Sequence, residues 1–242
     1  MLSLKGYGMT ISGVTSLDFI ALVWFLTCWL GYGRYATWLS RTRPSLVPAV
    51  LVFRRRWAER MCERENHQSD ATILGNLLRG ALFFASTTMF ILGGLVALLG
   101  TTPKIIEVVS QLPFTGPFEV WFWEVKALIL IGIYVYAFFK FTWSALQYNI
   151  LSIVLGASPK PSADSQEHAH HVEIATQIAA MAGDSYNNGI RAYYFSIAPM
   201  AWFIHPLFLI AATAIVTFAL YRREFHSPIL SALISAPPKG RH

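Results

Sequence analysis

Arg79-Gly-Ala-Leu-Phe-Phe-Ala-Ser-Thr-Thr-Met-Phe-Ile-Leu-Gly-Gly-Leu-Val-Ala-Leu-Leu-Gly100 carries no charge between its ends. A helix needs roughly 20 apolar residues, at about 1.5 Å each, to cross the hydrocarbon core of a bilayer, and this run suffices. The rest of the 242-residue chain agrees with it: charged residues are 13%, about half the usual quarter, and apolar residues are 55%. Mean hydropathy is +0.46. A soluble fold of this size needs many more charges to cover its surface, so most of this surface is expected to be lipid. The sequence therefore predicts an all-α, polytopic integral membrane protein, a bundle of four transmembrane helices.

Three further stretches qualify. The first span, about 19–39, opens with Thr15-Ser-Leu-Asp18, which has the pattern of a capping box, and Arg34 in its last turns can snorkel to the interface. No basic region with a short apolar core and cleavage site precedes it, so it reads as a retained span. The third apolar stretch is too long for one crossing. Trp121, Phe122 and Trp123 mark one interface and Trp143 the other, placing the span at about 123–146. The helix is expected to continue through Gln147 and Asn149 to Gly156, which would end it. The fourth span, about 193–221, carries Pro199 and Pro206, and a bend is expected there.

The net charge of +6 does not form one nucleic-acid footprint, because apolar runs separate the basic residues. No nucleic-acid partner is expected. Arg34, Arg41, Arg43, Arg54, Arg55, Arg56, Arg60, Arg64, Arg79, Lys160 and Arg191 fall on one side of a four-span arrangement. Lys5, Lys104, Arg222, Arg223, Lys239 and Arg241 fall on the other. Positive residues stay inside, so both termini are expected on the periplasmic side of a bacterial inner membrane, with Arg222 and Arg223 as the dissent. Cys28, in a span, and Cys62, in a basic loop, are expected to be unpaired.

Between the spans, residues 47–66 read as a basic helix. Phe53, Trp57 and Met61 recur every four residues among Arg54, Arg55, Arg56, Arg60 and Arg64. That pattern suits a helix in the cytoplasmic headgroup layer on anionic lipid, or one packed against its own bundle. Pro103, Pro113 and Pro117 suggest a short outer cap. Ser158-Pro-Lys-Pro-Ser162 reads as a turn, 164–183 as a helix and Asn187-Asn188-Gly189 as a second turn before the fourth span. Residues 226–242 read as a flexible tail.

Candidates for chemistry are few. Ser86, Gly93, Ala97 and Gly100 make a stripe of small residues on the second span, where another helix can approach closely. Tyr136, Lys140, Ser144 and Gln147 share a face of the third span, with Lys126 at its other end; an ionisable residue at membrane depth marks an ion or substrate path, or else snorkels or glues helices. Asn149, Arg191 and Tyr193 join them at the cytoplasmic rim. His205 precedes Pro206, but no other span offers the second histidine that a haem usually needs, so no cofactor is expected. Glu167, His168 and His171 could share a weak zinc site on a helix, or form solvated surface. No Gly-rich phosphate loop, nucleophile elbow or H-E-x-x-H occurs, and no catalytic residue is assigned.

Several strings together carry a resemblance. They are Arg56-Trp57 with Met61, Arg64 and Asp70; Phe83-Phe-Ala-Ser-Thr87 with Gly93-Gly94 and Leu98-Leu-Gly100; and Phe138-Phe-Lys-Phe-Thr-Trp143 with Gln147-Tyr-Asn149. Ala182-Gly183, Gly189-Ile-Arg-Ala-Tyr-Tyr-Phe195, Trp202-Phe203 and Pro206 complete the set. The chain resembles, from about Asp18 to Tyr221, the uncharacterised four-span membrane protein family of bacteria and plants known as domain of unknown function 599. The resemblance implies an architecture and no reaction. Three roles follow as expectations. The first is a non-catalytic accessory or scaffold subunit that binds anionic lipid and other membrane helices, in a homo-oligomer or a larger complex. The second is an oligomeric channel or transporter using the third-span stripe, and the third a lipid-modifying enzyme.

Overall fold

The computed structural model describes residues 15–101, 119–160 and 162–235. The expected outer cap at Pro103, Pro113 and Pro117 lies outside them. Among the described residues all regular structure is helical: α1 (Ser16–Leu39), α2 (Leu46–Cys62), α3 (Gln68–Leu99), α4 (Val120–Gly156), α5 (Ser165–Trp202), α6 (Pro206–Phe225) and α7 (Pro228–Ser235). Four segments are long and apolar enough to cross a membrane: α1, α3, α4, and α6 with α7 over Pro206–Ser235. The chain is a multi-pass membrane protein.

The start of α1 is the expected capping box. Asp18 N donates to Thr15 Oγ1, and the Asp18 carboxylate accepts from Thr15 N at 3.1 Å. The Asp18 carboxylate also accepts from Trp202 Nε1 at 2.8 Å, which ties the beginning of α1 to the end of α5. Lys126 of α4 joins the same level, donating to the Trp202 carbonyl at 3.1 Å. α4 runs unbroken for 37 residues, about 55 Å. It therefore outlasts the bilayer, and its far end packs with the beginnings of α3 and α5 through Leu74, Tyr148, Leu151 and Val172.

Three sequence expectations change here. First, the stretch 193–221 is two antiparallel pieces, not one bent span. Tyr193–Trp202 ends α5, residues 203–205 reverse the chain, and α6 begins at Pro206. Pro206 cannot donate a backbone hydrogen bond, and it drives His205 into extended geometry at φ −161°, ψ 144°; Pro199, by contrast, lies inside α5. Second, Asn187-Asn188-Gly189 is helical. α5 passes straight through it because Asn187 accepts from Arg223 of α6, Asn188 accepts from Arg191 three residues on in α5, and Gly189 is buried under Phe141. A Cβ at Gly189 would lie 2.7 Å from the Phe141 ring.

Third, α1 and α6 run in the same direction. Asp18 meets Trp202 just before α6 begins, and at the other end Tyr32 Oη donates to Glu224 at 2.9 Å. The C-terminal half of α5 thus runs alongside these helices, and the start of α1 and the end of α6 lie at opposite ends of the bundle. A strictly alternating set of four spans would put these two helix ends on one side, and the bundle separates them. Arg222 and Arg223 sit with Arg41 and Arg43, so the dissent they offered disappears. Part of the expected tail is also ordered: α7 rests against α2 with Leu230 buried.

α2 covers most of the expected basic helix. It docks on α5 with Ala58, Met61 and Cys62 buried, while Val52 stays exposed. Fully burying Met61 contributes about 1.5–3 kcal/mol. On α3 the buried residues are Asp70, Leu74, Ala81, Ala85 and Thr88. Ser86, Gly93, Ala97 and Gly100 are all exposed, so the small-residue stripe does not pack the bundle. Thr88 decides which face turns inward, through its 2.7 Å hydrogen bond with Tyr193 of α5.

Two outcomes check this fold. With Cys28 and Cys62 replaced by alanine, a membrane-impermeant maleimide that labels Thr42→Cys should label Ser231→Cys from the same side and Ser16→Cys only from the other. Gly189→Ala should lower stability by about 1–3 kcal/mol in detergent unfolding, since the buried Phe141 ring has little room to yield.

Candidate functional site: a polar cavity at the arginine-rich end

Asp184, Asn187, Asn188 and Arg191 recur at the spacing that puts them on one face of α5. That face lines a cavity of about 720 Å³. The opposite wall comes from the end of α1 and the turn after it, with Arg34 and Arg41, and from Ser45, Val47 and Pro48 at the start of α2; Glu224 of α6 closes one side.

Arg191 is fixed from three directions. Its Nη2 donates to Glu224 Oε1 at 2.7 Å, its Nη1 donates to Asn188 Oδ1 at 3.3 Å, and its guanidinium stands 5.5 Å from the Tyr32 ring centroid. Both Glu224 oxygens are engaged, because Tyr32 Oη donates to Oε2. Arg223 Nη2 donates to Asn187 Oδ1 at 3.3 Å and orients that amide. Arg54 lies against α5 at Gly183, where only the lack of a side chain lets its guanidinium approach the backbone. Arg34 and Arg41 have no ion pair among the described residues and are exposed.

Ser45 is the N-cap of α2 and is 2% exposed, yet its hydroxyl has no hydrogen-bond partner among the described residues. The reason is local. An N-cap side chain normally accepts from the N–H two or three positions on, and the third position here is Pro48, which has none.

The other residues singled out from the sequence scatter. Ser144 donates to the Ala182 carbonyl at 2.8 Å and Gln147 accepts from Ser185 at 3.0 Å, both facing α5. Lys140 instead lies over the Tyr136 ring, which stacks edge-on with Trp29 of α1. The stripe thus serves two different neighbours. Tyr193 bonds Thr88 within a cluster of Phe84, Phe141 and Tyr134, and Asn149 is exposed. His205 sits at the chain reversal, not in mid-span, and caps α6 by accepting from Leu207 N at 3.2 Å.

On α2, Trp57 Nε1 donates to Asp70 at 2.7 Å, and Arg64 in the following turn does the same. Asp70 is fully buried, so these two bonds clamp α2 to α3. Arg55 pairs with Glu59 at 3.5 Å, Arg56 lies over Phe53, and Arg60 points to the exposed side. His168 and His171 engage the preceding turn at the Lys160 carbonyl and Ser158 Oγ. Burial, followed by neighbouring His168, pushes the His171 imidazole below its ordinary value. Among the described residues no group of three or more His, Cys, Asp or Glu could hold a metal ion.

Asp184, Glu224, Asp70 and Tyr32 were not among the sequence candidates. The spacing of Asp184, Asn187, Asn188 and Arg191 was the available signal, hidden by reading Asn-Asn-Gly as a turn. Comparison with known proteins adds one finding: the sequence model of a family described as protein of unknown function, DUF599, matches residues 20–229. No curated protein and no solved structure matches.

Replacing Glu224 with glutamine should cost about 1.5–3 kcal/mol of stability, because it strands a mostly buried guanidinium. Arg191→Lys should behave similarly, since one ammonium cannot reproduce the planar fork on Glu224 and Asn188. The double variant Arg191→Met with Glu224→Met should cost less than the two single changes added together, as read from unfolding midpoints in detergent.

Proposed function

As a member of the DUF599 family and a multi-pass membrane protein, this chain is, we propose, a non-catalytic accessory or scaffold subunit of a membrane assembly, fastened to anionic lipid at its arginine-rich end. The observation that carries the reading is how the polar side chains at membrane depth are used. Ser144, Gln147, Tyr193, Thr88 and Lys126 all bond to other helices of the same bundle, which is the work of helix-to-helix adhesion. What remains open to neighbours is the small-residue face of α3, with Ser86, Gly93, Ala97 and Gly100, and the exposed arginines of α2.

The arginine-rich end faces the cytoplasm of a bacterial inner membrane in this reading. Adding Arg222 and Arg223 to that end sharpens the charge asymmetry on which the positive-inside rule acts. The start of α1 then lies on the periplasmic side and α7 on the cytoplasmic side. Arg55 and Arg60 on the exposed side of α2 meet the anionic headgroups, each attracted by about 1 kcal/mol. A second copy of this chain, or another membrane helix, packs on α3. A channel lined by the α4 stripe has less support, since Tyr136 and Lys140 turn toward α1 while Ser144 and Gln147 turn toward α5.

Native mass spectrometry of the protein released from its own membrane tests both halves. Arg55→Gln with Arg60→Gln should reduce retained anionic lipid several-fold, and Gly93→Leu with Ala97→Leu should dissolve any oligomer or complex seen for the unaltered chain. A strictly monomeric protein, with lipid retention indifferent to both pairs, would end this reading.

A further inference from the structure

We propose that the cavity between α1, α2 and α5 is a binding site for a phosphate group, with Ser45 and the α2 N-terminus on one side and Arg34, Arg41 and Arg191 around it. Two independent observations meet there. The first is charge. Glu224 is occupied by Arg191 and Tyr32, whereas Arg34 and Arg41 line the same cavity with no ion pair among the described residues. Even with Asp184 on the rim, the cavity offers guanidinium groups to an incoming anion, and guanidinium matches phosphate oxygens in a bidentate fork.

The second is Ser45. An unbonded hydroxyl on a residue 98% buried is destabilising by itself, and Ser45 is one of the residues lining the cavity, at the N-terminus of α2. Pro48 removes one local donor to its oxygen, and its O–H has no acceptor among the described residues, so it is left to donate to a ligand oxygen. A helix N-terminus favours negative charge through its dipole and its unsatisfied N–H groups, and Ser45, Val47 and Pro48 bring this one to the same cavity as the arginines.

The size and lining fit a phosphate carrying an organic group. About 720 Å³ is several times the volume of inorganic phosphate, and Leu30, Trp38 and Val47 supply apolar surface beside the cations. Leu30 and Trp38 are also exposed on the outside of α1, so an acyl chain could leave the cavity along that helix. The same phosphate chemistry is found on a glycerophospholipid headgroup and on a small soluble phosphate ester. Only the lipid source rests on the cytoplasmic orientation proposed above; the soluble source does not.

The test uses the full chain purified in a neutral detergent and challenged with three probes: inorganic phosphate, sn-glycerol 3-phosphate and short-chain phosphatidylglycerol. Affinity is read by calorimetry and by the ligand-induced rise in unfolding temperature. Arg34→Gln and Arg41→Gln should each weaken the best probe by about tenfold, the loss of one charge-assisted contact. Ser45→Ala should leave the unliganded protein as stable or more stable, because it removes an unsatisfied hydroxyl, while shrinking the response to ligand. A merely structural serine would not give that opposite pair of results. Binding of phosphatidylglycerol alone assigns the site to lipid, and binding of all three assigns it to the phosphate group itself. The proposal is overturned if no probe binds, or if Ser45→Ala, Arg34→Gln and Arg41→Gln all keep the full response. It is equally overturned if Arg55→Gln with Arg60→Gln, outside the cavity, removes the response, which would leave the lipid half of the scaffold reading standing.

Discussion

A polar group carried to membrane depth has to find its partner within the protein, because hydrocarbon offers none. α5 brings the most of them: Asp184, Ser185, Asn187, Asn188, Arg191, Tyr193 and Ser196 follow one another along it. The polar face of such a helix cannot meet lipid, and beyond Arg191 only the stripe of Tyr194, Ile197 and Met200 stays exposed. α4 and α6 flank it along its length, α1 approaches beside Arg191 and α2 covers its entry. Each partner is committed by a specific bond: Gln147 for Ser185, Glu224 for Arg191, Thr88 for Tyr193, Tyr134 for Ser196. The apolar helices around it gain their positions from this requirement as much as from their own packing.

The same constraint explains what could be read in the sequence. The apolar runs of α1, α3 and α4 are visible because lipid-facing residues have to be apolar whatever lies beside them. The cap at Thr15 and Asp18 is visible because it is local, and so is the overlong α4, which continues to Gly156. By contrast, the extent of α5 is hard to see. Much of its surface meets other helices, so its composition is free to be polar, and hydropathy then hides it. Asn187-Asn188-Gly189 has turn chemistry, and only Phe141 pressing on Gly189 makes a helix the better choice there.

The site shows a similar division. Arg191, the α2 arginines and the α4 polar stripe stood out as residue types at suspicious depths. Their grouping did not, because it depends on which face of α4 meets α5 and which meets α1. Ser144 and Lys140 are four residues apart and lie on one arc, yet one bonds α5 and the other covers Tyr136. Glu224 was hidden among the charges closing α6, and Ser45 gives no signal except through the proline three residues later. The small stripe on α3 was legible as a pattern, but the bundle itself does not use it.

The pairing of α1 with α6 bears on how the molecule is assembled during synthesis. α1 leans chiefly on α6, to which it is joined through Tyr32 and Glu224, and touches α5 only lightly. Well over a hundred residues separate the end of α1 from Pro206. At a ribosome's pace of about 5–20 residues per second, that interval lasts on the order of ten to thirty seconds. Through it α1 has to stay inserted without its main neighbour, and Tyr32 has no Glu224 carboxylate to receive its hydroxyl. Its independent hydrophobicity is therefore a requirement of birth order, met before α6 exists.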